Sequence, residues 1–144
     1  DMKISTRGRY SLRMMIDLAQ HYNDSFIALK DISERQDISK KYLEQIIPFL
    51  NRSNLLLANK GHMGGYKLAK APSQITVREI LESAEGSLTP VSCMDNCPNL
   101  CEKCDTCVTL PIYQGLYDVI TQYFESITLE DIITNQVSEF TYQI

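Results

Sequence analysis

Residues 27–66, IALKDISERQDISKKYLEQIIPFLNRSNLLLANKGHMGGY, divide into two short helical patterns and a hairpin. In the first pattern Leu29 and Ile32 stand one turn apart, and the run breaks at Asp37-Ile38. It restarts at Ser39, whose hydroxyl can accept from the free amides in the first turn of the next helix. There Leu43, Ile46, Ile47 and Leu50 share one stripe, while Lys41, Glu44, Gln45, Pro48 and Arg52 fall opposite it at the 3.6-residue period. The implied unit is two helices joined by a tight turn, the second with a polar face turned outward. Pro48 lacks the amide that would bond Glu44, so a kink or an end to that helix is expected there.

Any two amphipathic helices around a core would share this pattern, and the hairpin behind them decides between the readings. Residues 55–58 and 66–69 are strand-like and flank Asn59-Lys60-Gly61-His62-Met63-Gly64-Gly65, whose glycines are expected to supply the positive φ of a tight turn. A basic hairpin tip directly after such a helix predicts a winged helix-turn-helix. In that arrangement Lys40, Lys41 and Tyr42 lie where a recognition helix enters the major groove of duplex DNA, with Gln45 one turn on and Lys60 on the wing. Lysines neutralise phosphates, and a glutamine amide can pair with a base edge. The glycines do not make a phosphate loop, because no Gly-Lys-Ser/Thr follows them.

The net charge of −4 over 144 residues is unusual for a DNA binder until the chain is divided. Residues 1–71 hold twelve Lys/Arg against seven Asp/Glu, and residues 72–144 hold two against eleven. The basic half coincides with the winged helix, so one end can face a polyanion while the other repels it. No stretch has the length of a membrane span and no signal peptide is visible, so a cytoplasmic protein is expected. Neither a nucleophile-base pair nor a carboxylate pair stands out, so no enzyme is expected.

Ahead of the first helix, Lys3, Arg7 and Arg9 with Ser5 and Thr6 can grip phosphates; the stripe that follows is Leu12, Met15, Ile16, Ala19 and Tyr22. After the wing, Thr76 and Glu79 form a capping box for a short helix that Gly86 closes. Ile112, Leu116, Val119, Ile120, Tyr123, Phe124 and Ile127 then mark the longest helix. A lone helix of that kind needs a covering surface; it either folds back on its own head or pairs with a second copy, and DNA half-sites favour the homodimer. Thr128 caps one more short helix, and 139–144 alternates like a short strand.

All five cysteines lie between Cys93 and Cys107, at 93, 97, 101, 104 and 107. Thiols so clustered in an intracellular chain point to metal ligation or redox chemistry rather than structural disulfides. The Cys97-x3-Cys101-x2-Cys104 run matches radical enzymes that use S-adenosylmethionine, but 144 residues leave no room for their barrel. Zinc prefers well-separated CxxC pairs or added histidines, and His21 and His62 are remote in sequence, whereas closely spaced thiols on a loop suit an iron-sulfur cluster better. A cluster, zinc and thiol switching all remain open on spacing.

With MKISTRGRY, DISERQDISKKYLEQ, the GxxGGY wing and a cysteine loop leading into a long helix, the chain resembles the Rrf2 family of bacterial transcription regulators from Met2 to about Asn135. The resemblance implies dimeric winged helices that include iron-sulfur regulators, nitric-oxide sensors and cysteine-metabolism repressors. It assigns Cys93, Cys101 and Cys107 to the family's cluster ligands, and the extra Cys104 can be a fourth. Departures are Leu110 where a cluster regulator carries histidine, Gly8 where a nitric-oxide sensor carries an acid, Lys60 where arginine is usual, and Tyr113 at a tryptophan position. The tail ending in Phe140, Tyr142 and Ile144 is similar to that of the cysteine-metabolism repressors, whose partner is cysteine synthase, and it makes Ile144 a candidate partner-binding residue.

The expected fold is therefore mainly α with a small β wing. A winged helix-turn-helix DNA-binding domain at 2–86 precedes a cysteine-rich sensor loop at 87–109 and a dimerisation helix with C-terminal tail at 110–144. The function expected is DNA-binding transcription regulation coupled to iron-sulfur or thiol state. The alternatives are a cysteine-metabolism repressor acting with cysteine synthase and a zinc-stabilised interaction module.

Overall fold

The structure is a computed structural model of the chain and describes residues 3–23, 25–96 and 108–137. Apart from the helix at 29–36, which follows Ala28 and has no side-chain cap, the head helices start where a side chain satisfies a free amide. Ser5 caps α1 (Thr6–Gln20), accepting from the Gly8 amide at 3.0 Å. Helix α2 (Leu29–Gln36) ends on Asp37, at φ 53°, a left-handed turn that frees Ser39 to cap α3 (Lys40–Arg52) by accepting from the Tyr42 amide at 3.1 Å. Between them the Ser33 hydroxyl donates to the Ile38 carbonyl at 2.5 Å and tightens the turn.

Helix α3 runs through Pro48 to Arg52, without the stop that the proline suggests. Pro48 and Glu44 both lie on the exposed side, where water can serve the carbonyl that lost its helical partner. The buried stripe Leu43, Ile46, Ile47 and Leu50 holds the helix on the core across that gap.

The wing pairs β1 (Leu56–Asn59) antiparallel with β2 (Gly65–Leu68), and Leu56 opposes Leu68. Ile27 adds a bridge unseen in the sequence, exchanging two 2.8 Å backbone hydrogen bonds with Tyr66. The hairpin glycines serve close backbone approach more than turn conformation. A Cβ on Gly65 would stand 2.1 Å from the Ile27 carbonyl oxygen, and one on Gly64 would stand 2.4 Å from that of Asn59.

Helix α1 is the centre of the head, packed against α2, α3, α4, α7 and β2. Met14, Met15, Leu18 and Ala19 are buried, Leu12 and Ile16 partly so, and Tyr22 lies exposed beyond the helix end. The buried face is wider than the expected stripe because neighbours cover α1 from several sides. Helix α4 (Val77–Glu85) begins with the Thr76–Glu79 capping box and closes on Gly86, at φ 82°. A single turn, α5 (Cys93–Asn96), opens the cysteine segment.

Helix α6 (Leu110–Glu125) splits its packing. Near its C-terminal end Tyr123 and Phe124 pack with Val77, Leu81 and Ile127 against α4. Further towards its start Ile112 is 67% and Val119 42% exposed. The chain then returns to the head: the Val77 amide donates to the Ile127 carbonyl at 2.9 Å and the Leu129 amide to that of Ile75 at 3.0 Å. Helix α7 (Leu129–Ile133) follows, with Thr128 and Asp131 as its capping box, and packs on α1. No helix among the described residues is long and apolar enough to cross a membrane.

Candidate nucleic-acid interface and cysteine segment

The polar side of α3 is presented as its periodicity requires. Lys40, Lys41, Glu44 and Gln45 are exposed, and all sit within the first two turns. Tyr42 turns partly inward, its ring 5.4 Å from that of Tyr10 in an edge-on contact, so it fixes α3 on α1 as well as bordering the surface. The wing tip is open: Asn59 through Met63 are exposed, including Lys60. The Leu55 amide donates to the Leu50 carbonyl at 3.3 Å, which sets the start of the wing directly on the end of α3.

A buried ion pair holds the helix-turn-helix on α1. The Asp17 carboxylate is 1% exposed and accepts from Arg35 through Nε at 3.0 Å and Nη2 at 2.8 Å, and from Gln36 Nε2 at 2.9 Å. Burial alone pushes that carboxyl up, but the Arg35 and Gln36 hydrogen bonds outweigh it and hold the group below its ordinary 3.8. Arg35 is raised in turn by the same hydrogen bond. Sequence reasoning missed Asp17, since an acid on an exposed-looking helix position carries no signal of a partner eighteen residues away.

Arg7 and Lys3 part company. Arg7 is half-buried: its Nε donates to the Ala84 carbonyl at 2.7 Å, and its guanidinium lies 4.1 Å from the ring centre of Phe49, which Arg52 also covers at 4.6 Å. It ties α1 to α3 and α4. Lys3 is exposed at the edge of a cleft of about 320 Å³ that Glu85, Leu88, Ile120 and Phe124 help to line. Phe49 and Glu85, both unremarked in the sequence, are thus the side chains on which the start of α1 is seated.

Of the cysteines, Cys93 is described: a free, half-buried thiol at the start of α5. Cys97, Cys101, Cys104 and Cys107 lie outside the described residues, as does Ile144. Among the described residues no three His, Cys, Asp or Glu side chains gather as a metal site.

The fold recurs in known proteins. The family model described as an iron-dependent transcriptional regulator, Rrf2, matches residues 4–135. The HTH-type transcriptional regulator IscR of Photorhabdus laumondii is 36% identical over 135 residues, covering 94% of this chain and 81% of that protein. The solved structure of CymR (YrzC), the global cysteine regulator of B. subtilis, has a TM-score of 0.76 at 31% identity, covering 94% of this chain and 98% of its own. That of T. potens IscR has a TM-score of 0.74 at 37% identity, covering 92% and 87%. The helix-turn-helix, the wing and these likenesses together place the chain in the Rrf2 family, as a DNA-binding transcription regulator and not an enzyme.

Proposed function

We propose that the protein is a homodimeric regulator whose operator affinity follows the state of its cysteine segment. The observation that carries the DNA side is the exposed polar face of α3, with Lys40, Lys41 and Gln45, set beside an open wing tip with Lys60. Lys3, Lys40, Lys41 and Lys60 are assigned to phosphates, Gln45 to a base edge, and Tyr42 and Arg7 to holding α3 and α1 while bordering the backbone. The dimer reading rests on α6. Ile112, Gly115, Leu116 and Val119 share one face at helical spacing, and a Cβ on Gly115 would meet nothing within 4 Å. A mid-helix glycine costs about 0.5–1 kcal/mol relative to alanine, and nothing among the described residues makes use of it. Close approach by a second α6 would.

The donor set of the cysteine segment fits an iron-sulfur cluster: soft thiolates at Cys93, Cys101 and Cys107, with Cys104 as the fourth, and Cys93 accessible as a free thiol. When bound, such a cluster supplies a centre that responds to oxidants and to iron supply. Anaerobic purification with absorption spectra and iron, sulfide and zinc analysis tests this. Iron with matching sulfide, lost in each Cys→Ala variant, is the expected result. Stoichiometric zinc would favour the interaction-module reading, and metal-free protein would leave thiol switching.

A second reading is favoured by the likeness to the global cysteine regulator CymR. In it the chain represses cysteine metabolism together with cysteine synthase, which captures the tail at Ile144. Calorimetry with intact and Ile144-deleted protein decides it: binding lost on deletion supports the partner, and equal heats reject it.

A further inference from the structure

We propose that Asp95 is a positioning residue that passes displacement of the cysteine segment to the recognition helix through one continuous set of contacts. The inference rests on reading residues 93–107 as the sensor. It begins at α5, where a single carboxylate oxygen, Asp95 Oδ1, accepts from Ser87 Oγ at 2.9 Å and Thr89 Oγ1 at 2.5 Å. The two hydroxyls are 2.8 Å apart, and the Thr89 amide donates to Ser87 Oγ at 3.2 Å. The Met94 and Asp95 amides donate to the carbonyls of Val91 and Ser92, each at 3.1 Å, so the turn bearing Cys93 is clasped to residues 87–89 as one unit.

On the other side of Gly86 a second set of contacts begins. Glu85 Oε1 accepts from the Ser5 amide at 3.1 Å and the Ser5 hydroxyl at 2.5 Å, and Ser5 is the cap of α1. The Ala84 carbonyl accepts from Arg7 Nε, and Arg7 lies over Phe49 of α3. Gly86, at φ 82° and with its amide donating to the Glu82 carbonyl at 2.8 Å, joins the two sets directly through the chain. When the ligation or oxidation of the cysteines moves α5, residues 87–89 move with it. The motion arrives at Glu85 and Ala84, which seat α1 and, through Arg7, the end of α3. A chain of packed and bonded groups between two arrangements is what coupling requires, and only a coupling measurement establishes it.

The test measures the affinity of the full-length dimer for a duplex selected from a random pool by the wild type. It is done with thiols reduced and after diamide, which takes two hydrogens from a thiol pair to leave a disulfide and a hydrazine. For the wild type the two affinities should differ about five-fold or more. Asp95→Ala should bring that ratio close to one while the affinity of the reduced protein stays within about two-fold, because the clasp is exposed and adds little stability. Asp95→Asn, which keeps a carbonyl oxygen for both hydroxyls, should restore the wild-type ratio. An unchanged ratio in Asp95→Ala overturns the proposal, as does an equal loss of affinity in both states, which marks a merely structural clasp. If the wild-type ratio is itself one, the sensor reading fails and takes this coupling with it.

Discussion

Helices α3 and α6 are both amphipathic, yet they leave opposite kinds of surface uncovered. Helix α3 buries Leu43, Ile46, Ile47 and Leu50 and presents lysines and a glutamine, groups that water already solvates well. Helix α6 spends its C-terminal end on α4 and presents Ile112 and Val119, which gain about 25 cal/mol per Å² on leaving water. A solvated cationic face waits for a polyanion and costs nothing meanwhile. An apolar face around a glycine calls for a permanent cover. The first surface is suited to reversible recognition, and the second to assembly.

The largest effect should come from charging the α6 face. Ile112→Asp with Val119→Asp enters a symmetric interface twice per substitution, and sedimentation should show the dimer lost, with operator affinity falling by a factor of 100 or so as the paired half-site contact disappears. A dimer that persists would break the comparison. Next, Asp17→Ala leaves Arg35 and Gln36 without their acceptor and should lower stability by about 3 kcal/mol in urea titrations, the low end for a buried pair because Arg35 is partly exposed. It should do so without changing the α6 surface. Because the Asp17 carboxyl is held below 3.8 in the folded protein, its contribution is complete above that value and is lost as pH falls through the lower folded value. The alanine variant should therefore show a flatter acid limb.

Smaller still, Lys40→Ala, Lys41→Ala and Lys60→Ala should each weaken DNA binding by about 1 kcal/mol and reduce the salt dependence, leaving the dimer intact. Gln45→Ala should narrow the gap between operator and random duplex instead. Salt-indifferent binding would remove α3 from its side of the comparison. Smallest, Asp37→Gly relieves a left-handed backbone between α2 and α3 and should stabilise the head by about 0.5 kcal/mol in thermal melts, part of the gain being offset by unfolded-chain entropy.

Features set by neighbours in the chain were legible before any coordinates. The Ser39 cap, the Thr76–Glu79 and Thr128–Asp131 boxes and the Gly86 stop each depend on residues within a turn, and each is found where its spacing requires. The α3 stripe is similarly local, because a helical period assigns faces once one of them is apolar. Pro48 shows the limit of local rules: its lost hydrogen bond is real, and four buried side chains on the opposite face override it.

What the sequence determined by itself was the winged helix and the polar face it offers, together with the clustering of every thiol between residues 93 and 107. Only the tertiary structure decided which charges are free. Lys3 and Arg7 look alike in the chain, but Arg7 meets Ala84 and Phe49 and Lys3 remains exposed. Asp17 becomes a buried anchor because Arg35 and Gln36 arrive from another helix, and α6 divides into a packed end and an open face because α4 reaches only part of it. Burial and pairing are properties of surfaces that distant segments make together, and a residue's own period cannot state who its neighbours will be.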